Sequence, residues 1–102
     1  MFTFLKNLFK PSADFAKLVK EGAVIVDVRT TGEFQAGHIE GSKNIPLDTV
    51  KNEVEKLKKL NKPFVTVCRS GNRSAMAKSI LSSAGIVAYN GGAWTNLKRQ
   101  LT

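Results

Sequence analysis

The chain has 102 residues, 42% of them hydrophobic and 24% charged, with a formal net charge of +8. That is one domain's worth of sequence, able to bury about two-thirds of its unfolded surface, and its composition is that of an ordinary globular protein rather than a disordered one. No apolar run approaches the roughly 20 residues of a membrane span, and a single cysteine forms no disulfide within the chain, which fits a reducing, cytoplasmic setting.

The positive excess raises a nucleic-acid reading, but the residues do not support it. Lysines supply most of the basic side chains and are spread from Lys6 to Lys98, and the densest group, Lys56, Lys58, Lys59 and Lys62, falls at the end of a predicted helix. Lysines there stay solvated and complement the helix dipole. Without interleaved aromatics or a nucleic-acid motif, no nucleic-acid partner is expected. The charge suits the attraction of small anions or of an acidic protein partner.

In chain order, MFTFLKNLFK places Phe2, Leu5, Leu8 and Phe9 near helical spacing. Lys6 and Lys10 interrupt any signal-peptide core. Residues 1–11 are therefore read as a tail or short amphipathic segment, packed on its own domain or hanging loose, with a weak membrane-surface or partner contact as the alternative. Residues 12–102 are read as a single domain. Pro11-Ser12 marks a break and an N-cap; Phe15, Leu18 and Val19 give the following short helix one buried face, and Gly22 stops it.

Ala23 to Val28 is apolar apart from Asp27, the signature of a central parallel strand covered on both sides. A carboxylate there needs a partner. Asp27 is expected to bond neighbouring loops and Arg29 to pair with Glu33 one helical turn on, so that these residues prop the site from beneath rather than take part in chemistry. Thr30 to Ala36 forms a short helix ended by Gly37. His38 is read as structural, since a cysteine held by backbone dipoles needs no base. A short strand near Lys43 to Ile45 precedes a helix capped by Asp48 or Thr49, with Val50, Val54 and Leu57 on one face.

Residues 65–81, VTVCRSGNRSAMAKSIL, organise the rest. Phe64 to Val67 is a buried strand; from Ala75 onward the residues favour helix, with Ala75, Ile80, Leu81 and Ala84 facing the sheet. Between them lies CRSGNR. Gly71 allows the sharp turn, and Ser70 and Asn72 suit loop and cap positions. A loop curling into a helix start turns backbone N–H groups inward and puts the positive end of a dipole behind them. A thiol at the mouth of that cradle ionises readily. Ile86 to Tyr89 is the next strand, Asn90-Gly91-Gly92 a turn, and Trp94, Leu97 and Leu101 one stripe of a final helix, with Trp94 in the core.

Cys68 to Ser74 resembles the active-site loop of rhodanese-type sulfurtransferases, and IVDVRTTGEFQAGHIEGSKNIP at 25–46 and YNGGAW at 89–94 extend the resemblance over all but about the first ten residues. The alternation of elements gives an α/β domain with a mainly parallel sheet and helices on both faces. The resemblance implies the three-layer rhodanese-like fold with four to five strands. Cys68, at a strand's carboxyl end, lies where such sheets bind ligands.

The resemblance implies this reaction: Cys68 thiolate attacks the outer sulfur of thiosulfate or a persulfide, leaves a Cys68 persulfide, and passes the sulfur to cyanide or a thiol, a protein thiol included. Amides from Arg69 to Ser74, through Ser70, Gly71, Asn72 and Arg73, stabilise the anionic sulfur. Arg69 is placed against the donor's sulfonate, while Arg73 is the candidate for bracing the loop. No metal or organic cofactor is required, and a monomer suffices. The competing reading is a non-enzymatic persulfide relay or protein-binding module on the same fold. Phosphatase or arsenate-reductase chemistry is disfavoured, because tyrosine-phosphatase loops place five residues between cysteine and arginine and only four separate Cys68 from Arg73.

Overall fold

The computed structural model describes residues 13–102, so the expectations for the first eleven residues and for Ser12 as a cap lie outside what it describes. Its elements are α1 (Phe15–Lys20), β1 (Val24–Asp27), α2 (Thr31–Ala36), β2 (Lys43–Asn44), α3 (Leu47–Lys58), β3 (Phe64–Cys68), α4 (Asn72–Ser83), β4 (Ala88–Ala93) and α5 (Trp94–Leu101). The four strands are parallel in the order β2-β1-β3-β4. The chain winds outward from β1 to β2, then crosses to the other side for β3 and β4. The winding direction therefore changes between β1 and β3, where the carboxyl ends of adjacent strands leave a crevice.

Alternation along the strands feeds two cores. Val26, Phe64 and Cys68 pack with Val50 and Leu57 of α3 and Ala77 and Leu81 of α4. Ile25, Val65 and Val67 face the other way, onto Leu97 of α5, with Phe15 and Val19 of α1 packed alongside. Every residue of β3 is buried. Covering a strand on both faces removes it from water altogether, which is why β1 and β3 read as apolar runs broken only by Asp27 and Thr66.

Local signals set the helix ends, not always the expected ones. Asp14 caps α1, accepting from Lys17 N–H at 3.1 Å. Thr30 and Glu33 form a reciprocal capping box on α2. Neither Asp48 nor Thr49 caps α3: Pro46 occupies the N-cap without a side-chain bond, Asp48 lies in the first turn, and the Thr49 hydroxyl donates back to the Pro46 carbonyl at 2.9 Å. The chain enters α3 directly from a proline whose fixed φ already suits the turn.

Two corrections concern the elements around the loop. Helix α4 starts at Asn72 rather than near Ala75, so Ser74, Ala77 and Leu81 form its buried face and Ala75 is exposed. Asn90-Gly91-Gly92 is not a turn but the middle of β4, where the register against β3 slips from Thr66↔Asn90 to Val67↔Gly92. Gly91 is the extra residue of this bulge. A Cβ there would lie 2.7 Å from Val65 Cγ1 and 3.0 Å from the Thr66 carbonyl oxygen, so close approach of the two backbones demands glycine.

Candidate active site

Cys68 ends β3, and the next three residues turn the chain into α4. Gly71 makes the turn at φ +101°, a left-handed conformation that side chains resist. Its N–H then points at Cys68 Sγ, at 3.0 Å. The Ser74 N–H, an orphan donor of the first turn of α4, lies 3.4 Å from the same sulfur, and the Ser74 hydroxyl 3.3 Å away. Burial pushes the Cys68 thiol up, but the Ser74 hydroxyl and the amides of Ser74, Gly71 and Ser70 outweigh it and leave the thiol below its ordinary value. Of the six amides from Arg69 to Ser74, the structure thus brings those of Gly71 and Ser74 within hydrogen-bond distance of the sulfur. Cys68 itself is only 1% exposed.

The two loop arginines part company. Arg73 turns back to α2 and makes a two-pronged ion pair with Glu33, at 2.7 and 3.1 Å. That pairing, with the Thr30 N–H behind it, holds the Glu33 carboxyl down at about 2, and Glu33 in turn raises Arg73. Arg69 is exposed and makes no hydrogen bond or ion pair among the described residues.

The expected Arg29–Glu33 ion pair is not formed, because each group has a better-placed partner. The Arg29 guanidinium holds the Asp27 carboxylate through Nε at 2.9 Å and NH2 at 2.7 Å, and touches Glu33 only at its main-chain carbonyl, at 3.3 Å. Arg29 also donates to the Gly37 carbonyl at 2.6 Å and lies over the Trp94 ring, 4.5 Å from its centroid. Both Asp27 and Arg29 are buried. They tie β1 to the end of α2 and to α5. His38 stacks on Phe34 and its Nδ1 lies 2.8 Å from the Phe34 carbonyl.

Asn90 is the site residue that sequence reasoning missed. The β4 bulge aims its side chain at the loop: Oδ1 accepts from the Ser74 hydroxyl at 2.7 Å and from Gly92 N–H at 2.9 Å, and Nδ2 donates to the Gly71 carbonyl at 3.2 Å. The signal available was a pair of glycines after an asparagine, which spells turn as readily as bulge.

A cavity of about 500 Å³ lined by Leu18, Lys58, Pro63 and Ile86 lies at the amino ends of β3 and β4, away from Cys68, where such sheets do not place their chemistry. Among the described residues, no three or more His, Cys, Asp or Glu side chains gather as metal ligands would, and no helix is long and apolar enough to cross a membrane.

Residues 12–98 match the rhodanese-like domain model. The chain is 36% identical over 76 residues to the thiosulfate sulfurtransferase GlpE of Pseudomonas putida, covering 72% of this chain and 68% of that one. It is 32% identical over 84 residues to a tRNA sulfurtransferase of Thermoplasma acidophilum, covering 82% of this chain but 16% of that one. Among solved structures it superposes on a rhodanese with anions from E. coli with a TM-score of 0.68 and 31% identity, over 74% of this chain and 91% of the other. With the fold, the loop and a match over nearly all of its length in agreement, this chain belongs to the rhodanese-like domain family.

Proposed function

We propose that the protein is a sulfurtransferase of the thiosulfate type that carries sulfur as a Cys68 persulfide. One observation carries this reading: two backbone amides and a hydroxyl converge on the Cys68 sulfur, at 3.0 to 3.4 Å, at the start of a helix. That is a cradle for a sulfur anion. The thiolate attacks the outer sulfur of thiosulfate, the S–S bond of the donor breaks with its electron pair, and sulfite leaves. The persulfide's terminal sulfur carries the negative charge. Cyanide or a thiolate then takes that sulfur and restores Cys68. A cysteine only 1% exposed favours slender donors and an acceptor that reaches in end-on.

In this reading Ser70, Gly71 and Ser74 hold the sulfur, Asn72 opens the helix whose dipole backs it, Arg69 meets the donor's sulfonate, and Arg73 braces the loop against Glu33. Asp27 and Arg29 support the floor. The chain acts as a monomer in this reading. A thiol that must stay reduced to work suits the cytoplasm. The names of the relatives above support sulfur transfer, and thiosulfate is the donor that one of them names.

Intact-mass measurement after mixing with thiosulfate tests the reading. The expected result is a gain of one sulfur atom, removed by cyanide and absent in Cys68→Ser. No adduct with thiosulfate or with a low-molecular-weight persulfide would overturn it in favour of a protein-binding module, and an adduct formed only from a persulfide would favour the relay.

A further inference from the structure

Three facts about the Ser74 hydroxyl constrain how the site ionises. It lies 3.3 Å from Cys68 Sγ on one side and 2.7 Å from Asn90 Oδ1 on the other. It has one hydrogen to give. The Asn90 amide is pinned at both ends by main chain, Oδ1 by the Gly92 N–H and Nδ2 by the Gly71 carbonyl, so the group beside Ser74 is always an acceptor.

With Cys68 as a thiol, the S–H donates to Ser74 Oγ and the Ser74 hydroxyl donates to Asn90. With Cys68 as a thiolate, the sulfur has nothing to donate. The Ser74 hydroxyl must turn and give its hydrogen to sulfur, leaving Asn90 Oδ1 to the Gly92 N–H alone. We propose that Asn90 is a positioning residue that competes with the Cys68 sulfur for the single hydrogen of Ser74, and so sets how readily the sulfur takes a negative charge. The thiol proton leaves to solvent in this step. Ser74 keeps its own hydrogen and only changes the direction of the bond, and Asn90, an amide oxygen, takes no proton.

The competition has a chemical use. A cradle with several donors drives the thiol pKa down, and a thiolate of very low pKa is a weaker nucleophile. An acceptor that holds the hydroxyl in the resting state moderates this, and it releases the hydroxyl when sulfur is charged. Asn90 suits the task because its second donor, the Gly92 N–H, keeps Oδ1 satisfied after release. The bulge at Gly91 is what brings the side chain to this place from an edge strand. The charged side chains around the loop are the exposed Arg69, Arg73 of α4, which is held by Glu33 of α2, and Asp27 of β1, which is held by Arg29. From β4 come Asn90 and Gly92, neither of which titrates.

This inference rests on Cys68 being the reacting thiol, and its test uses no sulfur donor, so that it and the sulfur-transfer reading fail separately. The ultraviolet absorbance of the thiolate is titrated in the whole chain against Cys68→Ser as the blank. Asn90→Asp, an isostere that grips the hydroxyl with a full charge, is expected to raise the ionisation midpoint by about one pH unit. At least half of that rise is expected to vanish in the Ser74→Ala background, where only the direct effect of the charge is left. Asn90→Leu, which frees the hydroxyl for sulfur, is expected to lower the midpoint. An Asn90→Asp shift of equal size with and without the Ser74 hydroxyl, or no shift, overturns the proposal. The Asp pair decides the matter even if Asn90→Leu fails to fold.

Discussion

The carboxyl ends of β1 and β3 lie side by side, Asp27 opposite Val67, and they treat charge in opposite ways. At the end of β1 the buried Asp27 and Arg29 answer each other, and two further guanidinium hydrogens go to the carbonyls of Glu33 and Gly37. Most of the donors and acceptors there are matched within the fold. At the end of β3, N–H and O–H donors gather on a sulfur that has no carboxylate or cation of its own, and Arg69 stands exposed beside it. The difference separates scaffold from chemistry: polar groups matched inside the fold hold shape, and donors aimed at a single polarisable atom wait for charge.

The comparison breaks most sharply at Arg29. Removing it leaves the Asp27 carboxylate buried and unpaired, so Arg29→Ala is expected to lose about 3–5 kcal/mol of stability. Urea denaturation checks this, and a loss under 1 kcal/mol would mean that the pair is not the support it looks like. Arg69→Ala, by contrast, is expected to leave the denaturation midpoint in place and to raise KM for thiosulfate about tenfold, roughly 1.4 kcal/mol of binding. Added salt should shrink that gap, because an exposed charge is screened. An unchanged KM would remove Arg69 from donor binding.

The smallest effect belongs to Glu33, which bridges the two regions through Arg73. Its carboxyl sits at about 2 against an ordinary 4.5, so the native state favours the ionised form. The resulting stability is fully present above pH 4.5 and is lost as pH falls toward 2. Glu33→Gln is expected to cost about 1 kcal/mol or less at neutral pH, since the pair is a third exposed, and to flatten the stability profile across that acid window. A mutant profile that stays as steep as the parent's would assign the acid loss to other carboxylates.

The element order, the parallel sheet and the place of Cys68 were legible because each depends on short-range pattern. Ala23 to Val28 and Phe64 to Val67 are apolar runs too short for helices, and CRSGNR is a turn followed by helix-forming residues. Ion-pair partners were not legible. Arg29 and Glu33 have the spacing of helical neighbours, yet Arg29 lies before α2, and the folded chain offers Glu33 an arginine 40 residues away. Nor was the bulge: Asn-Gly-Gly satisfies a turn and a bulged strand equally, and only the backbone of β3 lying against Gly91 decides between them.

What the sequence by itself determined, then, is which residues alternate, which break and which carry the thiol, since these follow from side-chain type and local spacing. The tertiary structure alone decided who meets whom: Arg73 with Glu33, and Asn90 with Ser74. Hydrogen bonds and ion pairs form only within about 3–4 Å. Groups far apart along the chain come that close only after the sheet and both cores have assembled.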